Sequence, residues 1–196
     1  MIPLLQSARL RRSCPDKLRA FLRDTITIIV IAAMIVAGQR AIAPKIVVDG
    51  PSMNFTLHNG QQIVINKVVY RFHQPERGDI IVFYPPNNGK EEYIKRIIGL
   101  PGESVEIEGG KVYIHKKDGT ILPLVESYLA EPARAPFKGG TIPPNEYFVL
   151  GDNRNNSSDS RGGWTVPFKN IMGKAWLSVW PPSRWGLVVN YLANEQ

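Results

Sequence analysis

The chain has 196 residues, enough for one domain with a substantial core. Its 24 Lys and Arg against 17 Asp and Glu leave a formal charge of +7. Hydrophobic content of 43% excludes disorder, 17 Gly and 16 Pro favour a turn-rich β fold over a helical bundle, and a single cysteine, Cys14, excludes an internal disulfide or a Cys-based metal cluster.

The charge is unevenly placed. Residues 1–24 hold six basic groups and two acidic ones, whereas the remaining 172 residues are nearly balanced. A nucleic-acid-binding domain is therefore not expected. Next comes an uncharged apolar run at 25–38. As a helix, a run of 14 residues spans only ~21 Å, but continuing to Ala43 gives ~28 Å, close to a hydrocarbon core, with Arg40 snorkelling to the headgroups. Pro44 ends it. The cationic flank predicts a cytoplasmic N-terminus, with residue 45 onward across the membrane. A buried core helix is disfavoured because the run has no polar face. A cleaved signal peptide would use Ala41-Ile42-Ala43 as its cutting site, but Arg40 interrupts that pattern and Pro44 would follow the cut. The reading is a retained anchor at 25–43, between a basic cytoplasmic segment at 1–24 and an extracytoplasmic domain at 44–196.

From residue 45 the apolar periodicity is that of strands, expected at 45–48, 62–66, 79–84 and 92–98. Two hairpins follow, at 104–114 around Gly109-Gly110 and at 115–122 around Asp118-Gly119. Residues 130–144 read as a surface loop, and strands are expected again at 146–150 and 175–179. His58, His73 and His115 show no metal-ligand spacing.

Three segments are too polar or too constrained for plain sheet, and each taken alone also fits a plainer reading: a turn serine, a surface lysine over an apolar strand, and a solvated loop. Gly50-Pro51-Ser52-Met53-Asn54-Phe55-Thr56-Leu57 makes a turn that presents the Ser52 hydroxyl while Met53 and Leu57 point into apolar surface. In Tyr93-Ile94-Lys95-Arg96-Ile97-Ile98, strand alternation sends Lys95 and Arg96 to opposite faces, so one cation can be desolvated. A buried lysine loses its proton more readily and becomes a general base. Residues 151–161, Gly-Asp-Asn-Arg-Asn-Asn-Ser-Ser-Asp-Ser-Arg, contain no apolar side chain and suit a hydrogen-bonded loop with an Asp159–Arg161 pair, holding a hydroxyl against Lys95.

In combination these segments, with Gly-Asp-Ile-Ile-Val-Phe at 78–83 and Gly-Leu-Pro-Gly-Glu at 99–103, resemble the conserved boxes of type I signal peptidases in order and spacing, over about residues 20–180. The resemblance implies a mainly β, antiparallel, signal-peptidase-like domain behind an N-terminal transmembrane helix, acting as a Ser–Lys endopeptidase. Such an enzyme removes signal peptides from exported preproteins at the outer membrane face, after Ala-X-Ala, without metal or cofactor. It also implies roles. Ser52 matches the nucleophile and Lys95 the general base. Ser157 matches the serine that orients the lysine, Asp159 and Arg161 an ion pair, and Asp152 and Asn153 the supporting loop. Met53, Leu57, Tyr93 and Ile94 match the small substrate pockets. Three departures stand out. Phe55 occupies a usual proline position, Gly50 replaces an oxyanion-hole serine found in some members, and Gly162-Gly163-Trp164 replaces an aromatic-Trp-Gly sequence.

The expected partners are preprotein signal peptides and membrane lipids, with Trp180 and Trp185 reaching the headgroup layer and Trp176 packed in the last strands. Pro44 is expected to block self-cleavage after Ala43. The alternative enzyme reading is a specialised Ser–Lys processing peptidase, such as a mitochondrial inner-membrane or pilin-type one. A self-cleaving repressor would need a DNA-binding domain that 24 residues cannot hold. An inactive scaffold would not need both Ser52 and Lys95.

Overall fold

The computed structural model describes residues 14–87, 89 and 91–191, and at 14–17, 35–37 and 39–42 the backbone alone. The chain divides into two units, Met1–Ala41 and Ile42–Gln196. The first contains most of helix α1, Cys14–Ile42, which begins within the basic stretch and stops two residues before Pro44, where the ring removes an N–H donor. Its Ile26, Ile28, Ile29, Val30, Ile31 and Met34 are all exposed. Among the described residues no helix is long and apolar enough to cross a membrane. Within the expected span at 25–43, the side chains of residues 35–37 and 39–42 lie outside the described set.

The second unit holds two antiparallel sheets. The larger is built from β1 (Lys45–Val47), β2 (Gln62–Asn66), β3 (Ile80–Phe83), β4 (Tyr93–Gly99), β9 (Glu146–Leu150), β10 (Val166–Pro167), β11 (Ile171–Trp180) and β12 (Gly186–Leu187), in the order β1-β2-β11-β3-β4-β9-β10, with β12 on β11. The smaller runs β7-β6-β5-β8, from β5 (Ser104–Glu108), β6 (Lys111–His115), β7 (Ile121–Pro123) and β8 (Phe137–Lys138). The Gly109-Gly110 hairpin forms as expected, both glycines having positive φ. The sequence missed β8, β10 and β12, because two residues are too few to show a period. Accordingly, the expected loop at 130–144 contains β8, paired to β5.

Burial follows the period of two. In β3 all four residues are buried, with Ile80 and Val82 entering one apolar cluster and Ile81 and Phe83 another, so this central strand reads as an unbroken apolar run. A third cluster joins Ile98 and Leu150 to Val105, Ile107, Val112 and Ile114 of the smaller sheet. Strand β11 departs from the pattern. Its register against β2 slips between Ala175 and Leu177, with Trp176 the extra residue of a bulge. On the face opposite buried Ala175, Trp176 lies 48% exposed rather than packed as expected. The same strand ends near Trp180 and Trp185, which are 52% and 68% exposed. Trp164, by contrast, leans on Phe83 with ring centroids 6.2 Å apart, just after Gly163 caps a short 3-10 turn with φ +85°.

Candidate active site

Ser52 sits on a turn that leaves β1 through Gly50, whose φ of +83° only glycine adopts without strain. The turn is closed by Asn54 N–H to Pro51 O at 2.9 Å and Leu57 N–H to Met53 O at 2.8 Å. Met53 and Leu57 are fully buried in the cluster with Val48, Ile63, Ile65 and Ile94. Each contributes roughly 2 kcal/mol of burial that holds the turn against the sheet. Both were expected in the substrate pockets, yet neither lines the cleft at Ser52. They lie in the apolar cluster instead, where their burial anchors the turn on the sheet. Asn153 holds the turn from above, its N–H bonding Ser52 O at 3.0 Å and its Nδ2 bonding Pro51 O at 3.2 Å.

Lys95 comes from β4, opposite Ile81 of β3. It is 4% exposed and its Nζ donates to Ser52 Oγ at 2.8 Å and to Ile94 O at 2.9 Å. The Tyr93 ring lies 5.3 Å from the same nitrogen. Burial pushes the amine down from 10.5 to about 8, against the opposing pull of the Asp159 and Asp152 carboxylates. The sequence pattern allowed one desolvated cation on this strand, but two are buried. Arg96, fully buried on the other face, donates to both Asp152 oxygens at 2.9 and 2.7 Å and to Gly78 O at 2.9 Å, and stacks 4.1 Å over the Tyr128 ring. Its charge is tolerated because Asp152 neutralises it and its donors are engaged.

Residues 151–161 reach the site through the sheet. Leu150 of β9 pairs with Arg96, so the next residue, Gly151, emerges across from Lys95. A methyl group on Gly151 would come within 2.2 Å of Ser157 Oγ and 2.6 Å of Ser52 O, which measures how tightly these three segments meet. Asp159 accepts from Gly151 N–H at 3.1 Å and from the Arg161 guanidinium at 2.8 and 2.9 Å, so the expected ion pair is present. Ser157 differs from expectation. Its buried hydroxyl has no hydrogen-bond partner among the described residues, while Lys95 is engaged with Ser52 and Ile94 instead. Arg154 was assigned no role from sequence. Its buried guanidinium bonds Glu126 at 2.8 and 2.5 Å, and its Nε bonds Gly151 O at 3.1 Å. A partner 28 positions away leaves no local sequence signal.

Ile46, Val47, Gly50, Tyr93 and Ile94 line a cleft of about 460 Å³ that opens on Ser52 and Lys95. Tyr93 and Ile94 are thus where a substrate pocket was expected. Phe55, in place of the usual proline, has φ +80° and is 60% exposed. A proline ring, locked near −65°, cannot adopt this turn. A bulky residue in the left-handed region is strained. Phe55→Gly is expected to raise stability by about 0.5–1 kcal/mol, read from the urea midpoint at unchanged m.

Residues 21–180 match the family described as signal peptidase, peptidase S26. A probable signal peptidase I-1 of Synechocystis sp. is 38% identical over 174 residues, covering 85% of this chain and 86% of that protein. Signal peptidase I S of Bacillus subtilis is 38% identical over 149 residues, covering 70% of this chain and 76% of its own length. A signal peptidase I crystal structure from Enterococcus faecalis is 37% identical with a TM-score of 0.46, covering 52% of this chain and 97% of that one. The chain belongs to the signal peptidase family, peptidase S26.

Proposed function

We propose that this protein is a membrane-anchored serine endopeptidase that removes signal peptides from exported preproteins after Ala-X-Ala. The observation that carries the reading is the 2.8 Å contact between the buried Lys95 amine and the Ser52 hydroxyl. When Lys95 is neutral the contact runs the other way, with the hydroxyl donating to the amine. Ser52 Oγ then attacks the scissile carbonyl as its proton passes to Nζ. The new ammonium is held by Ile94 O and faces Asp159 and Asp152. As the peptide C–N bond breaks, that proton goes to the leaving amine and an ester remains on Ser52. Water attacks the ester, giving its proton to Lys95, and the proton returns to Ser52 as the signal peptide leaves. Every proton is carried by side chains of this chain.

Two features support the choice of substrate. Strand β9 pairs with β4 only from Arg96, and with Gly151 across from Lys95 the edge at 93–94 is left for an incoming extended backbone. The cleft walls of Val47, Tyr93 and Ile94 suit small side chains at the first and third residues before the cut. The basic segment at 1–24 and the apolar run at 25–43 are the proposed cytoplasmic flank and anchor, with the domain from 44 on the opposite face and Trp180 and Trp185 available to lipid.

The test is cleavage of a preprotein carrying Ala-X-Ala by the full chain in lipid vesicles, with the new N-terminus sequenced. One cut after the final alanine is expected, and none when that alanine is replaced by Trp. Cleavage elsewhere, or indifference to the substitution, overturns the reading.

A further inference from the structure

The last described residues do more than close the fold. After β12 pairs with β11 through Leu187 and Leu177, the chain continues across the domain. Val188 N–H bonds Trp176 O at 2.9 Å. Asn190 Nδ2 then bonds both Arg77 O at 3.1 Å and Asp79 Oδ1 at 3.2 Å, at the entrance to β3. Tyr191 stacks on Tyr128 with ring centroids 5.9 Å apart and planes 24° from parallel. Tyr128 in turn covers the Arg96 guanidinium, which lies 4.1 Å from its ring and 5.9 Å from that of Tyr191. Arg96, Tyr128 and Tyr191 therefore form one close cluster in which each lies against the other two, with Arg96 fully buried, Tyr128 9% exposed and Tyr191 42% exposed.

We infer that this C-terminal strap is a positioning element for the catalytic lysine, acting through Tyr191 on the Arg96–Asp152 pair. The inference rests on the Ser–Lys reading above. Arg96 is the neighbour of Lys95 on β4, and its two hydrogen bonds to Asp152 tie that strand to the loop carrying Asn153, which holds Ser52 O. Whatever keeps Arg96 dry keeps this tie short, because a guanidinium–carboxylate pair loosens as water reaches it. Aromatic faces over the guanidinium add cation–π attraction of about 0.5–2 kcal/mol. The strap reaches the serine side as well. Val188, Val189 and Tyr191 share a small cavity of about 180 Å³ with Thr56 and Leu57 of the Ser52 turn. One strap thus contacts the supports of both members of the dyad.

The charged and titratable groups in play are few. Lys95 faces Tyr93, Asp152 and Asp159, while Arg96 faces Asp152, Tyr128, Tyr191 and the like charge of Arg154. Removing the Tyr191 ring admits water to Arg96 and loosens its hydrogen bonds to Asp152, which leaves more of the Asp152 charge to act on Lys95. That change favours the ammonium.

The experiment compares Tyr191→Ala and Tyr191→Phe in the full chain with the wild type, recording kcat, KM, melting temperature and the pH dependence of kcat/KM on a preprotein substrate. Tyr191→Ala is expected to lower kcat about tenfold with KM within twofold, and to move the acid limb upward by about half a pH unit. Tyr191→Phe, which keeps the ring, is expected to match the wild type. Wild-type kinetics in a folded Tyr191→Ala protein overturn the inference. So does an unmoved acid limb, which would mean a purely structural loss, or equal damage by Phe. A wild-type enzyme that did not cleave would instead overturn the underlying reading.

Discussion

Lys95→Met abolishes cleavage, a loss of about 10³–10⁴-fold, while leaving a folded and more stable protein. The loss follows from removing the amine 2.8 Å from Ser52 Oγ, since general-base catalysis by a positioned side chain is worth about 10²–10⁴-fold and the serine is a poor nucleophile without it. Ser52→Ala should lose activity to a similar extent, because the two act as one unit. The stability gain has a defined sign and window. The folded-state lysine is lowered from 10.5 to about 8, so between those pH values the unfolded chain binds more protons than the fold. Below pH 8 the protonated amine therefore costs the fold about 3 kcal/mol, and this cost disappears as pH rises toward 10.5. Methionine has similar length without the charge, and its advantage in urea unfolding should be largest at pH 7 and fade by pH 10. In the wild type the same ionisation sets the acid limb of kcat/KM. The rate falls about tenfold per pH unit below 8, so that at pH 6 about one hundredth of the plateau remains. A limb near 10, or equal stability of wild type and Lys95→Met at pH 7, would contradict a desolvated base.

Gly151→Ala reduces kcat by at least about 100-fold, with a much smaller effect on folding. Its methyl group would sit 2.2 Å from Ser157 Oγ and 2.6 Å from Ser52 O, so the loop and the nucleophile turn must move apart. Overpacking of this kind costs about 1–3 kcal/mol of stability. A displacement of about 1 Å at a reacting group costs about 100-fold in rate. The contrast with Gly163 is informative: a methyl there meets nothing within 4 Å, and its strain comes from φ alone. Gly163→Ala should therefore lose stability without a comparable loss of kcat. Near-wild-type activity in Gly151→Ala would mean that the three segments do not need this close approach.

The resemblance marked Ser52, Lys95, Asp159 and Arg161, and in the fold the Ser52 and Lys95 side chains are in contact and the ion pair is closed. Such groups are legible because chemistry needs particular side chains at fixed spacing. The substrate wall was legible only in part. Tyr93 and Ile94 face the cleft, but Met53 and Leu57 lie in the apolar cluster instead, since an apolar residue in a turn can equally line a pocket or anchor the turn. Trp176 was misplaced because it lies on the exposed face, opposite buried Gly173 and Ala175, and a short strand read from sequence does not say which of its faces is covered.

The sequence by itself determined the β architecture, the serine and lysine, and the position of the charge. Alternation, turn residues and charge are properties of neighbouring positions along the chain. Only the tertiary structure decided that Lys95 is buried against Ser52, that Arg96 is buried beside it on Asp152, and that Tyr191 lies against both Tyr128 and Arg96. Desolvation and pairing depend on what the rest of the chain brings to a side chain. Here those partners come from 56 to 95 residues away, at Asp152 and Tyr191.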